Sequence, residues 1–238
     1  MDNNIDYSLL KGQKLKYAIF DILKHAVWES KINNLIDIHG YKLTNAFFSA
    51  SYNETKLISK RAVSCFGLLT KKTPQGQKEK IRNLMRKCIW MLTEESGGVP
   101  WKIPEIMGAI MSSDKTIAED YKNILFSYIY EVDGEFDNYL ENPQLRKSVY
   151  FAIVQISKNF PELIHNETEV IKQRIACEQD IEIIANLCLI IANSGLNVLK
   201  PFIKNYLSNK ELIEIYSDDK IVLTTLGHIA QQSYQLMD

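Results

Sequence analysis

Apolar positions recur along this chain with the spacing of one helix face. From Ile81 they fall at Ile81, Leu84, Met85, Cys88, Ile89 and Leu92, the i, i+3, i+4, i+7 series of an amphipathic helix. The same spacing runs through Ile58, Ala62, Cys65, Phe66 and Leu69, and through Ile117, Ala118, Tyr121, Ile124, Leu125, Tyr128 and Ile129. It returns in Leu145, Val149, Ala152, Ile153 and Ile156. Between 181 and 192 the chain is apolar nearly all round, which predicts a helix covered on several sides. The breaks are short: Thr73-Pro74-Gln75-Gly76 reads as a turn, Asn142-Pro143 as N-cap plus first-turn proline, and Ser194-Gly195 as a stop. One stretch differs. Residues 211–224, ELIEIYSDDKIVLT, are two β-branched-rich runs around Ser217-Asp218-Asp219-Lys220 and predict a small hairpin. Helical spacing resumes at Leu226, Ile229 and Ala230, and the segment is expected to cap the C-terminal end.

The predicted helices repeat. Residues 61–67 can be laid over 102–108 and 146–152, with a weaker copy at 182–188. The small residues Gly67, Gly108, Ala152 and Cys188 are then 41, 44 and 36 positions apart. A small side chain there lets a neighbouring helix approach closely, and a period near ~40 with two helices per unit is that of an α-solenoid. In this succession the sequence resembles the HEAT-like repeat family over roughly residues 30–210. The resemblance implies an all-α, HEAT-like or armadillo-type α-solenoid with a small C-terminal β-hairpin and capping helix, in a single domain of residues 1–238.

Residues 94–105, EESGGVPWKIPE, interrupt the repeat. Gly97 and Gly98 are expected to end one helix, at least one of them with positive φ, and Pro104 to open the next. Glu105 would oppose the positive end of that helix's dipole, and Glu94, Glu95 and Glu105 could gather at a rigid corner beside Trp101. The corner reads either as a tight connector in which tryptophan plugs a gap or as a recognition patch. This string is similar to a D/E-E-S-G-G-x-x-W-x-x-P-E corner in a group of uncharacterised HEAT-repeat proteins of anaerobic bacteria and archaea. That likeness implies the fold and carries no activity.

Charge is unevenly spread. Residues 56–87 hold ten bases and one acid, a net of +9, which leaves 18 bases and 28 acids elsewhere. Lys78, Arg82 and Arg86, four apart on one helix, form a stripe along one edge of the apolar face that could contact phosphates or an acidic protein surface. The alternative is a solvated face answered by acids of neighbouring repeats.

Composition narrows the function classes. With 46% hydrophobic and 24% charged residues, 10 Gly and 6 Pro, the chain is neither collagenous nor disordered. The first ten residues show no secretory pattern, and the longest apolar runs, 149–154 and 187–192, fall far short of the ~20 residues that span a bilayer. A cytoplasmic protein without membrane contact is expected. Cys65, Cys88, Cys177 and Cys188 lack zinc spacing and read as buried reduced thiols, and the histidines are scattered. No catalytic residue, cofactor or metal is predicted. The leading reading is a non-enzymatic protein–protein interaction module (scaffold, adaptor or assembly factor), with Glu94, Glu95, Trp101, Glu105, Lys78, Arg82 and Arg86 as candidate partner-binding residues. The alternatives are a nucleic-acid-binding or base-repair protein, since HEAT-like stacks occur in alkylpurine DNA glycosylases, and a tetrapyrrole-related protein like the HEAT-like phycobilin lyases.

Overall fold

The computed structural model describes residues 9–93, 101–130 and 138–237. Helices α1 (Gly12–Ile22), α2 (Trp28–His39) and α3 (Thr44–Ser51) lead into α4 (Lys56–Lys72) and α5 (Lys78–Thr93). They are followed by α6 (Ile103–Met111), α7 (Lys115–Ser127), α8 (Pro143–Asn159), α9 (Thr168–Cys177), α10 (Ile181–Asn193) and the short α11 (Lys200–Lys204). A two-stranded antiparallel hairpin, β1 (Leu212–Ser217) and β2 (Lys220–Thr225), precedes α12 (Leu226–Gln235).

The repeat inferred from sequence is the physical repeat. Helix α2 packs on α4, α4 on α6, α6 on α8, α8 on α10 and α10 on α12, so the even-numbered helices form one continuous row. Helices α3, α5, α7, α9 and α11 form a second layer over the row, each against a neighbouring even-numbered helix. The apolar series identified above is the seam between layers: Ile81, Leu84, Met85 and Cys88 of α5 are fully buried, as are Ala62, Cys65 and Phe66 of α4. Phe66 meets Phe47 and Phe48 of α3 edge to face, with centroids 5.7 and 4.8 Å apart.

Small residues set the spacing of the row. A Cβ on Gly108 would lie 2.5 Å from Ala152 Cα and 2.6 Å from its Cβ, and one on Gly67 would lie 3.0 Å from the Ala109 carbonyl oxygen. These are contacts with backbone and Cβ atoms that cannot swing aside, so α6 packs closely on α8 and on α4. The breaks also follow the sequence. The Asn142 side chain accepts from the Gln144 and Leu145 N–H groups with Pro143 next to it, and Gly195 closes α10 at φ +62°.

Two expectations change. Cys177 is exposed at the end of α9, where the apolar face has run out, whereas Cys65, Cys88 and Cys188 are buried. The terminal helix of the row is α12 on α10. The hairpin instead turns back along the row, with β1 touching α10 and β2 touching α4.

Candidate functional site

The hairpin and the even-numbered helices enclose a groove of about 610 Å³. Its floor includes Val63 of α4, Phe151 and Val154 of α8 and Leu189 of α10, with the amides of Gln144, Gln155 and Asn186 among them. Repeat geometry explains this alignment, since equivalent turns of successive helices face the same way. The helical wall carries Lys56, Lys60, Lys102, Lys147 and Lys158 against two acids, Glu105 and Glu182. The hairpin contributes Ile213, Glu214, Ile215, Tyr216, Ser217 and Asp218 from the opposite side.

Glu105 sits at the centre of the wall's charge. It is 4% exposed. Lys60 Nζ donates to its Oε2 at 2.8 Å and Lys102 Nζ to its Oε1 at 3.0 Å. Burial pushes the Glu105 carboxyl up, but the two ammonium groups outweigh it and hold it below the usual glutamate value. Burial also pulls the Lys60 ammonium below its ordinary value despite Glu105, and its Nζ lies 3.6 Å from the Phe151 ring centroid. Lys147 pairs with Asp180 at 3.0 Å and Glu182 at 3.4 Å.

At the other end the hairpin is tied down by its turn. Asp218 and Asp219 take φ of +48° and +59°, the type I′ pattern in which aspartate is tolerated, between the paired Ser217 and Lys220. Asp219 then accepts from Arg61 Nε and Nη2, both at 2.8 Å, from Trp28 Nε1 at 3.1 Å and from Tyr216 OH at 3.1 Å. Arg61 is 6% exposed, and its Nη1 donates to the Leu23 and His25 carbonyls at 2.7 and 3.1 Å. One guanidinium thus joins α4, the α1–α2 connection and a turn 158 residues away. Burial raises the Asp219 carboxyl, and the bonds from Arg61 and Trp28 carry it below the ordinary aspartate value. Burial and Asp219 push the Tyr216 hydroxyl up to about 12, so it remains a donor at neutral pH. Glu214 of β1 adds an ion pair with Lys56.

The predicted site residues separate. Glu105 is in the groove, but it faces lysines rather than other acids. Trp101 is 43% exposed. Glu94, Glu95, Gly97 and Gly98 lie outside the described residues. The basic stripe is not free. Lys78 pairs with Asp114, the N-cap of α7, and both side chains are largely buried. Arg82 bonds Asp120 of α7 at 2.8 Å, and Arg86 pairs with Glu79 on its own helix. The +9 segment is answered elsewhere too, through Lys56–Glu214, Lys60–Glu105, Arg61–Asp219 and Lys72–Asp37. Seven of its ten bases are therefore committed to carboxylates. The charge asymmetry of the sequence is in large part cohesion between repeats.

Among the described residues, no group of three or more His, Cys, Asp or Glu side chains gathers to hold a metal ion, and no helix is long and apolar enough to cross a membrane. No protein-family model matches the chain, and no curated protein does. Solved structures do. A designed armadillo repeat protein in complex with the peptide (KR)4 aligns over 99% of this chain and 96% of its own, at 14% identity and TM-score 0.54. A second designed armadillo repeat protein aligns over 98% and 97%, at 14% identity and TM-score 0.52. An engineered protein aligns over 98% and 99%, at 11% identity and TM-score 0.54. At such identities the likeness concerns fold alone. The chain has an armadillo- or HEAT-type helical repeat fold, closed on one side by its own hairpin.

Proposed function

We propose that this chain is a non-enzymatic protein-interaction module, a scaffold, adaptor or assembly factor, whose groove takes an extended polypeptide segment of a partner. The observation that carries this reading is the groove itself. It runs across α4, α6, α8 and α10, falls within the ~300–1,000 Å³ range of ligand sites, and alternates apolar floor with amides and lysines. The amides of Gln144 and Gln155 on α8 and Asn186 on α10 can meet the backbone of an extended chain, and the apolar floor between them can take its side chains. The designed relative that holds a (KR)4 peptide illustrates this kind of occupant on the same fold. The EESGGVPWKIPE corner, with the group of repeat proteins it resembles, would adjoin this surface through Lys102 and Glu105. A nucleic-acid role draws less support, because seven of the ten bases that suggested it are already paired with carboxylates.

The test is selection from a displayed random-peptide library on the full chain, followed by titration of the recovered peptides. Asn186→Arg, whose longer side chain fills the groove, is expected to weaken them by about tenfold or more, since overpacking a fitted site costs ~1–3 kcal/mol. Asn123→Arg, on exposed α7 in the other layer, should leave them unchanged. Peptides indifferent to Asn186→Arg would place binding elsewhere.

A further inference from the structure

The hairpin fills one side of the groove with the charge that the helices lack. Residues 211–219, ELIEIYSDD, hold four acids and no base. Residues 213–218 line the groove opposite five lysines; Lys60 and Lys102 are held by Glu105 and Lys147 by Asp180 and Glu182, which leaves Lys56, paired with the hairpin's own Glu214, and Lys158, which has no ion pair among the described residues. Ile213 is buried, while Glu214 reaches Lys56 and Asp219 reaches Arg61. The Leu23 and His25 carbonyls hold Arg61 Nη1 from outside the hairpin, while Nε and Nη2 form a two-point fork on the Asp219 carboxylate. Trp28 Nε1 adds a third donor to the same carboxylate.

We propose that the hairpin is an internal stand-in for the partner, and that the groove's external ligand is an acidic segment with apolar residues between its acids, which displaces the hairpin from Arg61 and Lys56. This rests on the reading that the groove binds a polypeptide. It adds the partner's chemistry and its competition with the chain's own residues. Tethering gives the hairpin an effective concentration on the order of millimolar, so a weakly bound arm excludes all but well-matched segments. A ligand with the wrong charge gains neither the Arg61 fork nor Lys56 and Lys158.

The experiment uses the full chain and a fluorescein-labelled peptide of residues 211–225, with a second peptide in which the four acids are lysine. Binding is compared between the native chain and Asp219→Asn, because asparagine keeps the left-handed turn while removing the charge. The acidic peptide is expected to bind Asp219→Asn about tenfold more tightly than the native chain, the size of a lost charge-assisted bond in the latch. The lysine peptide should bind neither. If Asp219→Asn loses its helical circular dichroism, Lys56→Gln takes its place with a gain of about threefold, since that pair is exposed. Equal affinity of the acidic peptide for native and loosened chains, or equal affinity of the two peptides, would overturn the proposal. No binding of the acidic peptide would overturn it too, while library peptides sensitive to Asn186→Arg would leave the groove reading standing.

Discussion

Gly108→Ala is expected to destabilise the fold by about 3 kcal/mol, the upper end of the usual cost of overpacking. The added methyl would overlap Ala152 Cα and Cβ, at 2.5 and 2.6 Å, and neither is the far end of a flexible side chain that can swing aside. Helices α6 and α8 would have to separate, and every later helix of the row rides on α8. For a chain of this size the melting temperature should fall by about 6–12 °C. Gly76→Ala is the control, because nothing lies within 4 Å of its added Cβ. Adding Ala152→Gly to Gly108→Ala should restore part of the loss, since it removes the nearer side-chain contact. If Gly108→Ala melts with the native chain, the close approach that defines the repeat row is wrong.

Glu105→Gln should cost about 3 kcal/mol, because removing one partner of a buried ion cluster leaves uncompensated charge. Here two ammonium groups lose one carboxylate. Lys60 and Lys102 keep 18% and 19% of their side-chain exposure, which sets the loss at the lower end of the ~3–5 kcal/mol expected for a buried pair. Glu105→Gln combined with Lys60→Met should be more stable than Glu105→Gln alone. The pH dependence has a definite sign. The folded carboxyl lies below its ordinary value of 4.5, so its contribution is present above that pH and is lost as pH falls through the lower folded value. The stability gap between native and Glu105→Gln chains, measured by urea unfolding, should therefore close on acidification. A gap that is constant with pH would mean that Glu105 acts through packing.

The helical row was legible because its signal is local. Ile81 through Leu92 show their face within one helix, and Gly67, Gly108 and Ala152 mark the contact at repeat spacing. The hairpin was legible for the same reason, down to its two-residue turn. Its destination was not. Asp219 meets Trp28 across 191 residues, and nothing within either segment encodes that meeting. A hint was present, since an acid-rich strand and a base-rich helix in one chain are natural partners, and Arg61 heads the first of the aligned repeat segments. The basic stripe left two readings open, because sequence reports a charge without its partner. Asp114 and Asp120, on the next helix of the other layer, turn Lys78 and Arg82 from a binding surface into a seam. Glu105 was singled out for its place at a helix start, but the lysines that face it come from α4 and from its own N-terminal flank.

The proposed docking place for the partner is the groove rather than the second helical layer. It is tested most directly by placing a photo-cross-linking benzoylphenylalanine at Phe151, within the groove, and separately at Asn123, on α7. With a library-selected peptide present, irradiation should join peptide to chain through position 151 and leave position 123 unreacted. Cross-linking through 123 without 151 would contradict the account.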